Sequence, residues 1–214
     1  MVVVRHGQTD CNISGTIQGR LDHELNETGR QQAAMVARRL SQEAKPAAVY
    51  SSDLKRAAET AKAIAASSGS KLELNQKLTE RHMGLFQGMN EHDALKTDAY
   101  KAYASNNDRN EQLPGGGESL DQLSERCVSC LNAIAEKHKG ERVIVVSHGA
   151  TIEEICRHAD PTSSARRRIP NTSISVIHIS GDNHHWILEK LGDVAHLKED
   201  GFLQSAFGGN GASA

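Results

Sequence analysis

Val2-Val3-Val4-Arg5-His6-Gly7 sets three β-branched residues ahead of two basic ones and a glycine. A short, wholly apolar β-branched run of this kind suits a strand buried on both faces of a parallel sheet. Such a strand delivers Arg5 and His6 to its carboxyl end, the edge of an open α/β sheet where ligands bind between strand ends and helix N-termini. Taken alone, the pair could simply be where the strand reaches water. Val143-Ile144-Val145-Val146-Ser147-His148-Gly149 repeats the arrangement, with a helix expected from Thr151 to His158. If the two strands are neighbours, His6 and His148 meet beside Arg5. A guanidinium repels a divalent ion and favours an oxyanion, so no metal site is expected there.

The 214 residues, 37% of them hydrophobic, suffice for one good core, and one domain is expected over 1–207 with a disordered tail at 208–214. A formal net charge of −2 gives no general attraction to nucleic acid or to anionic membranes, so any anion site must be a local cluster of cations. No stretch of 18 consecutive apolar residues occurs, and the chain enters a core strand with no charged leader, so a cytoplasmic protein is expected, or one whose transit peptide has been removed. Four cysteines are too few for a disulfide framework. Cys127-Val128-Ser129-Cys130 has C-x-x-C spacing but falls in mid-helix with no second ligand pair, which points to structural thiols.

Between these landmarks the pattern alternates. Gln8 to Gly15 and Gln18-Gly19-Arg20 read as loop, suited to wrapping an anion or to any surface. Asn26-Glu27-Thr28-Gly29 caps a helix running to about Gln42, which reads as packing material. Ala47 to Tyr50 is a strand, and Asp53 is the expected N-cap of a helix from Leu54 to Ala66. That helix puts Arg56 in its first turn, against the dipole preference and at the ligand edge. Leu72 to Leu74 reads as a third strand, with Glu80 and Arg81 just beyond it, and Glu91 to Ala104 reads as one polar helix, a candidate lid.

Pro114-Gly115-Gly116-Gly117 breaks the chain but is not a P-loop, since no strand precedes it and no Gly-Lys-Ser/Thr follows. Leu120, Leu123, Cys127, Leu131 and Ile134 then mark an amphipathic helix to about His138. Arg166-Arg167-Arg168 reads as a solvated face. After Pro170-Asn171-Thr172-Ser173, Ile174 to Ile179 and Trp186 to Leu191 form an edge hairpin turning at Gly181-Asp182-Asn183, with His184 and His185 on its surface. The fold class expected is α/β: a three-layer sandwich with a mostly parallel central sheet, helices on both faces and the hairpin at the edge.

Arg5-His6-Gly7-Gln8-Thr9 with Asn12, then Arg56 in Ser51-Ser52-Asp53-Leu54-Lys55-Arg56-Ala57, then Glu80, then Ser147-His148-Gly149, resemble in order and spacing the histidine phosphatase superfamily in its phosphoglycerate-mutase-like branch. Gly192-Asp193-Val194-Ala195-His196-Leu197 resembles the plant phosphoglycerate-mutase-like members. The resemblance implies that His6 is the nucleophile and forms phosphohistidine, that Arg5, Arg56 and His148 surround the phosphoryl group, and that Glu80 donates the proton to the leaving oxygen. It places Asn12, Gln18, Gly19, Arg81 and Gly149 at the substrate, Asn12 and the Gly19 backbone as donors. A neutral imidazole is nucleophilic near pH 7 when its other nitrogen holds the proton against an acceptor, and arginine forks suit the equatorial oxygens of a transferring phosphoryl group.

Three departures stand out. Cys11 replaces a frequent aromatic residue, Gln87 a frequent glutamate, and Glu153 a frequent arginine, so recognition of a second anionic group on the Glu153 side is in question. What the resemblance implies is a hydrolase for a small-molecule phosphate monoester, with no cofactor, no nucleic-acid or membrane partner, and a homodimer admissible. Two alternatives stand beside it. One is a cofactor-dependent phosphoglycerate mutase, whose relatives are longer. The other is a non-catalytic interaction module, for which loss of one of the five catalytic residues would be the expected mark.

Overall fold

The structure is a computed structural model and describes residues 1–106, 108–162, 169–180 and 184–198. The Arg166–Arg168 run, the 181–183 turn and the 208–214 tail lie outside the described residues. Six strands, β1 (Val2–Arg5), β2 (Ala48–Ser51), β3 (Leu72–Leu74), β4 (Val143–Ser147), β5 (Ile174–Ser180) and β6 (His185–Asp193), form one sheet in the order β3-β2-β4-β1-β5-β6. The first four in that order pair in parallel, while β5 runs antiparallel to both β1 and β6, so the hairpin closes one edge.

The strand alternation builds two cores. Val2, Val4, Ile144 and Val146 face α2 (Glu27–Ser41) and α3 (Lys55–Ser68), where Val36, Leu40, Ala61 and Ile64 meet them. Val3, Val143 and Val145 face the other way, onto Leu131 and Ile134 of α6 (Leu120–Lys137) and Ile152 and Ile155 of α7 (Gly149–Ala159). Period-two alternation through a sheet covered on both faces is what makes these strands read as continuous apolar runs. The result is the three-layer α/β sandwich expected.

Three local expectations are corrected. The Gln8–Gly15 stretch contains a short helix, α1 (Asp10–Ser14), because Thr9 and Asn12 close a reciprocal capping box and Gly15 ends the turn at φ 68°. The region 91–104 is two helices, α4 (Glu91–Ala94) and α5 (Asp98–Ser105), broken where Thr97 Oγ1 accepts from Tyr100 N at 3.1 Å and starts a new cap. Asp53 does not cap α3. Leu54 holds the N-cap position with no side-chain bond of its own, and Asp22 from a distant loop accepts from Lys55 N at 2.7 Å instead. No helix among the described residues is long and apolar enough to cross a membrane.

Candidate active site

The parallel register pairs Arg5 with Ser147, so the next residues, His6 and His148, leave neighbouring strands side by side. His6 N donates to Ser147 O at 3.0 Å, and the two ring centroids are 5.2 Å apart at an interplanar angle of 57°. Both rings are buried. Burial, then the charges of Arg56 and Arg5, hold His6 well below the ordinary imidazole range. His148 is held down in the same way, by burial first and then Arg56 and its neighbours. A His6 Nδ1–H can donate to Gly7 O, 2.7 Å away, which leaves Nε2 with its lone pair as the nucleophilic atom. Neither His148 nitrogen has a hydrogen-bond partner among the described residues, although both are buried. A polar group left so in an interior is costly unless a ligand completes it.

Arg56 is 1% exposed, and burial lowers its guanidinium to about 10, so it remains a cation at neutral pH. Its Nη1 and Nη2 donate to Leu21 O and Gly19 O, both at 2.7 Å, while buried Nε has no partner among the described residues. First-turn Arg56 thus fixes the 19–22 loop from which Asp22 returns to cap the same helix. Arg5 is buried beside it and donates through Nη1 to Ile169 O.

Glu80, 8% exposed, turns its carboxylate to the start of α7. Oε2 accepts from Ala150 N and Oε1 from Thr151 N, each at 3.2 Å, with Thr151 Oγ1 also 3.2 Å from Oε1 and Arg81 N at 2.8 Å. The same helix N-terminus that follows His148 therefore holds the Glu80 carboxylate, whose charge also acts on Arg56. Arg5, His6, Arg56, Glu80 and His148 all come together at one end of the sheet, from four separate segments.

The remaining positions divide. Asn12 is buried, and its Oδ1 accepts from Thr9 N and Thr9 Oγ1, leaving its NH2 as the group able to serve an anion. Gln18 Oε1 accepts from Thr9 Oγ1. Gly19 has φ 48°, and a Cβ there would come within 2.4 Å of Gln87 Oε1, so only glycine fits. Its carbonyl is bound to Arg56. Gln87 fills its place well: one amide oxygen accepts from Arg20 N and Met83 N, work for which a carboxylate is not required. Arg81 is no surface partner of Glu80 but is buried, donating to Glu118 O and to Tyr103 Oη of α5 at 2.8 and 2.7 Å. Gly149 opens α7, and Glu153 is half-buried near Cys156.

Helix α2 is more than packing material. A Cβ on Gly7 would stand 2.4 Å from Gly29 O, one on Gly29 would stand 2.0 Å from Gln8 O, and Gln32 Oε1 accepts from Gln8 N at 2.9 Å. Behind His6, Asn171 Nδ2 donates to His6 O at 3.0 Å, and Thr172 N donates to Arg5 O at 3.1 Å. Sequence reasoning missed Asn171, Thr151, Glu118 and Arg126. Only the Pro-Asn turn dipeptide and the glutamate after the glycine run mark any of them, and both marks are common in loops. Among the described residues no cluster of three or more His, Cys, Asp or Glu could hold a metal.

The family model of the histidine phosphatase superfamily (branch 1) matches residues 1–194. A "Phosphoglycerate mutase-like protein 4" of Arabidopsis thaliana is 50% identical over 217 residues, covering 100% of this chain and 93% of its own. A "Metal-independent phosphoserine phosphatase" of the same plant is 44% identical, covering 98% and 88%. Among solved structures, a phosphoserine phosphatase of Entamoeba histolytica in complex with 3-phosphoglyceric acid has a TM-score of 0.80 at 28% identity, over 92% of this chain and 98% of its own. A mycobacterial glucosyl-3-phosphoglycerate phosphatase has a TM-score of 0.78 at 28% identity, over 88% and 96%.

Proposed function

This chain belongs to the histidine phosphatase superfamily, branch 1, and is a phosphatase; on that premise we propose that it hydrolyses a small phosphomonoester through a phosphohistidine on His6. His6 Nε2 attacks phosphorus, the bond from phosphorus to the ester oxygen breaks, and Glu80 gives its proton to that oxygen as the alcohol leaves. Water then attacks the phosphohistidine, Glu80 takes its proton, and the P–N bond electrons return to His6 as inorganic phosphate departs. Arg5, Arg56 and His148 surround the equatorial oxygens, with Asn12, Gln18, Gly19, Arg81 and Gly149 toward the substrate. We also read 1–207 as one catalytic domain, a reading supported by the family match over most of it.

The observation that carries this reading is the burial of two imidazoles and two guanidinium groups at one sheet edge, with both His148 nitrogens unpartnered among the described residues. The arrangement suits three charged oxygens and leaves His6 uncharged to attack. The substrates named for the relatives, phosphoserine and glucosyl-3-phosphoglycerate, carry phosphate on an alkyl oxygen, a poor leaving group that requires a general acid. We infer a substrate of that class.

The test is a phosphomonoester panel together with His6→Ala. Acid quenching during turnover of substrate labelled in its phosphoryl group should be avoided in favour of alkaline quenching, since phosphohistidine is acid-labile. Wild type should then show a labelled protein and His6→Ala neither label nor hydrolysis. Full hydrolysis by His6→Ala overturns the mechanism, and phosphoglycerate interconversion as fast as hydrolysis would make the enzyme a mutase.

A further inference from the structure

Glu80 stands in a segment without regular structure, after a 3-10 turn at Gln76–Leu78. Its backbone carbonyls lack ladder partners and must be satisfied from elsewhere. One side chain does most of this. Arg126, from the second turn of α6, donates through Nη1 to Lys77 O and Thr79 O, both at 2.9 Å, and its Nη2 reaches Glu80 O at 3.4 Å. The other edge of the guanidinium forms a two-pronged pair with Glu118, Nε to Oε1 and Nη2 to Oε2 at 2.8 Å each.

Glu118 is itself half-buried within this network. Burial opposes its charge, but the bonds and charge of Arg126, with Arg20 and the His82 N–H, hold it below the usual carboxylate range. Arg20 completes the cluster with Nε on Glu80 O at 3.2 Å and Nη2 3.3 Å from Glu118 Oε2. The backbone of residue 80 is thus fixed by α6 and its carboxylate by α7.

We propose that Arg126 is a positioning residue for the proton-donor step, with Glu118 as its counter-charge: the pair holds the backbone beneath Glu80 so that its carboxyl meets the leaving oxygen. The inference rests on Glu80 being the proton donor. A planar fork can serve three carbonyls and a carboxylate at once, whereas an ammonium cannot, so Arg126→Lys keeps the charge and loses the geometry. Misplacing a catalytic group by a fraction of its working distance is enough to slow the step it serves.

A leaving-group comparison separates positioning from mere stability. p-Nitrophenolate departs without protonation, whereas the alkoxide of an alkyl phosphate does not. In Arg126→Lys, kcat/KM for O-phosphoserine should fall about 10- to 100-fold while that for p-nitrophenyl phosphate falls less than about 3-fold. Glu118→Gln, which leaves the carbonyl bonds of Arg126 in place, should fall in the same direction by a smaller factor. It decides the matter if Arg126→Lys does not fold. Glu80→Gln is the reference and should show the largest selective loss. Equal losses on both substrates in Arg126→Lys and Glu118→Gln, with a selective loss in Glu80→Gln, would overturn the positioning role alone. An unselective Glu80→Gln would overturn the proton-donor reading beneath it.

Discussion

His6 and His148 face each other across the β1–β4 ladder with ring centroids 5.2 Å apart, and the Arg56 charge is the largest single charge acting on either ring. Two imidazoles at that distance cannot both be protonated beside two arginines in a buried site. One ring is thereby kept as a nucleophile and the other as a neutral group that can take part in binding an oxyanion.

The first prediction follows from that relationship. In the ligand-free enzyme His6 should stay neutral well below pH 6.5, and NMR titration of its ring Cε1–H will show this directly. Arg56→Gln should move the titration upward, because removal of the charge leaves burial as the main opposing force. An ordinary midpoint near 6.5 in wild type, or a downward move in Arg56→Gln, would count against the account.

The Asp22 cap gives a second test, one that the sequence points away from. Asp22→Ala removes the acceptor for Lys55 N and should cost about 1 kcal/mol in urea unfolding, within the range for lost N-caps. Asp53→Ala, at the position local sequence favours, should be near neutral. Because Arg56 follows in the same turn and clamps Gly19 and Leu21, the Asp22 variant should also raise KM. If Asp53→Ala proves the more damaging, the cap is misassigned.

The contrast shows what the chain discloses before it folds. Paired apolar runs ending in His-Gly are local and periodic, so the sheet edge and its histidines can be read from Val2 to Gly7 and Val143 to Gly149. Arg56 carries one local mark, a first-turn arginine against the dipole preference, while Glu80 stands out only because its place in the order matches a family. Asp22, Asn171, Glu118 and Arg126 act on backbone groups far away in sequence, and nothing in their local context distinguishes them from solvent-facing polar residues. The 91–104 region suffers in the same way, since the break at Thr97 rests on one side-chain cap that competes with a weak helical pattern.

Gly29 supplies a third prediction. In an exposed helix, Gly→Ala gains up to about 1 kcal/mol. Here an added Cβ would lie 2.0 Å from Gln8 O, so Gly29→Ala must push the 7–8 segment away from α2. The variant should be destabilised and should lose kcat more than binding, because Gly7 carries the carbonyl that orients His6. A gain in stability with unchanged kcat would refute the close approach.

Thiol chemistry offers a fourth. Burial pushes Cys127 and Cys156 up to about 12 and raises Cys130, and the C-x-x-C pair sits within α6 and not at its N-terminus. None of these should titrate quickly with a disulfide reagent in the native enzyme. Only Cys11, half-buried near Arg56, should react at a measurable rate, with all four accessible after unfolding. Two fast native thiols would revive a redox role for the pair.

Stability against acid is the last prediction. His6, His148 and His196 are all depressed in the fold, His196 to about 4, chiefly by burial in each case. The unfolded chain then binds more protons than the native one once pH falls below about 6.5, so the stability these groups lend at neutral pH is lost between about 6.5 and their folded values. Urea unfolding at pH 5.0 should give a free energy lower than at pH 7.5 by about 2 kcal/mol for each of these histidines that stays neutral in the fold. His196→Gln should shallow the slope, since its removal takes one of the three protons out of the linkage. Inorganic phosphate, which favours protonated imidazole in the site, should shallow it as well. A stability that rises toward pH 5 in the absence of ligand would show that these histidines are not held neutral in the fold.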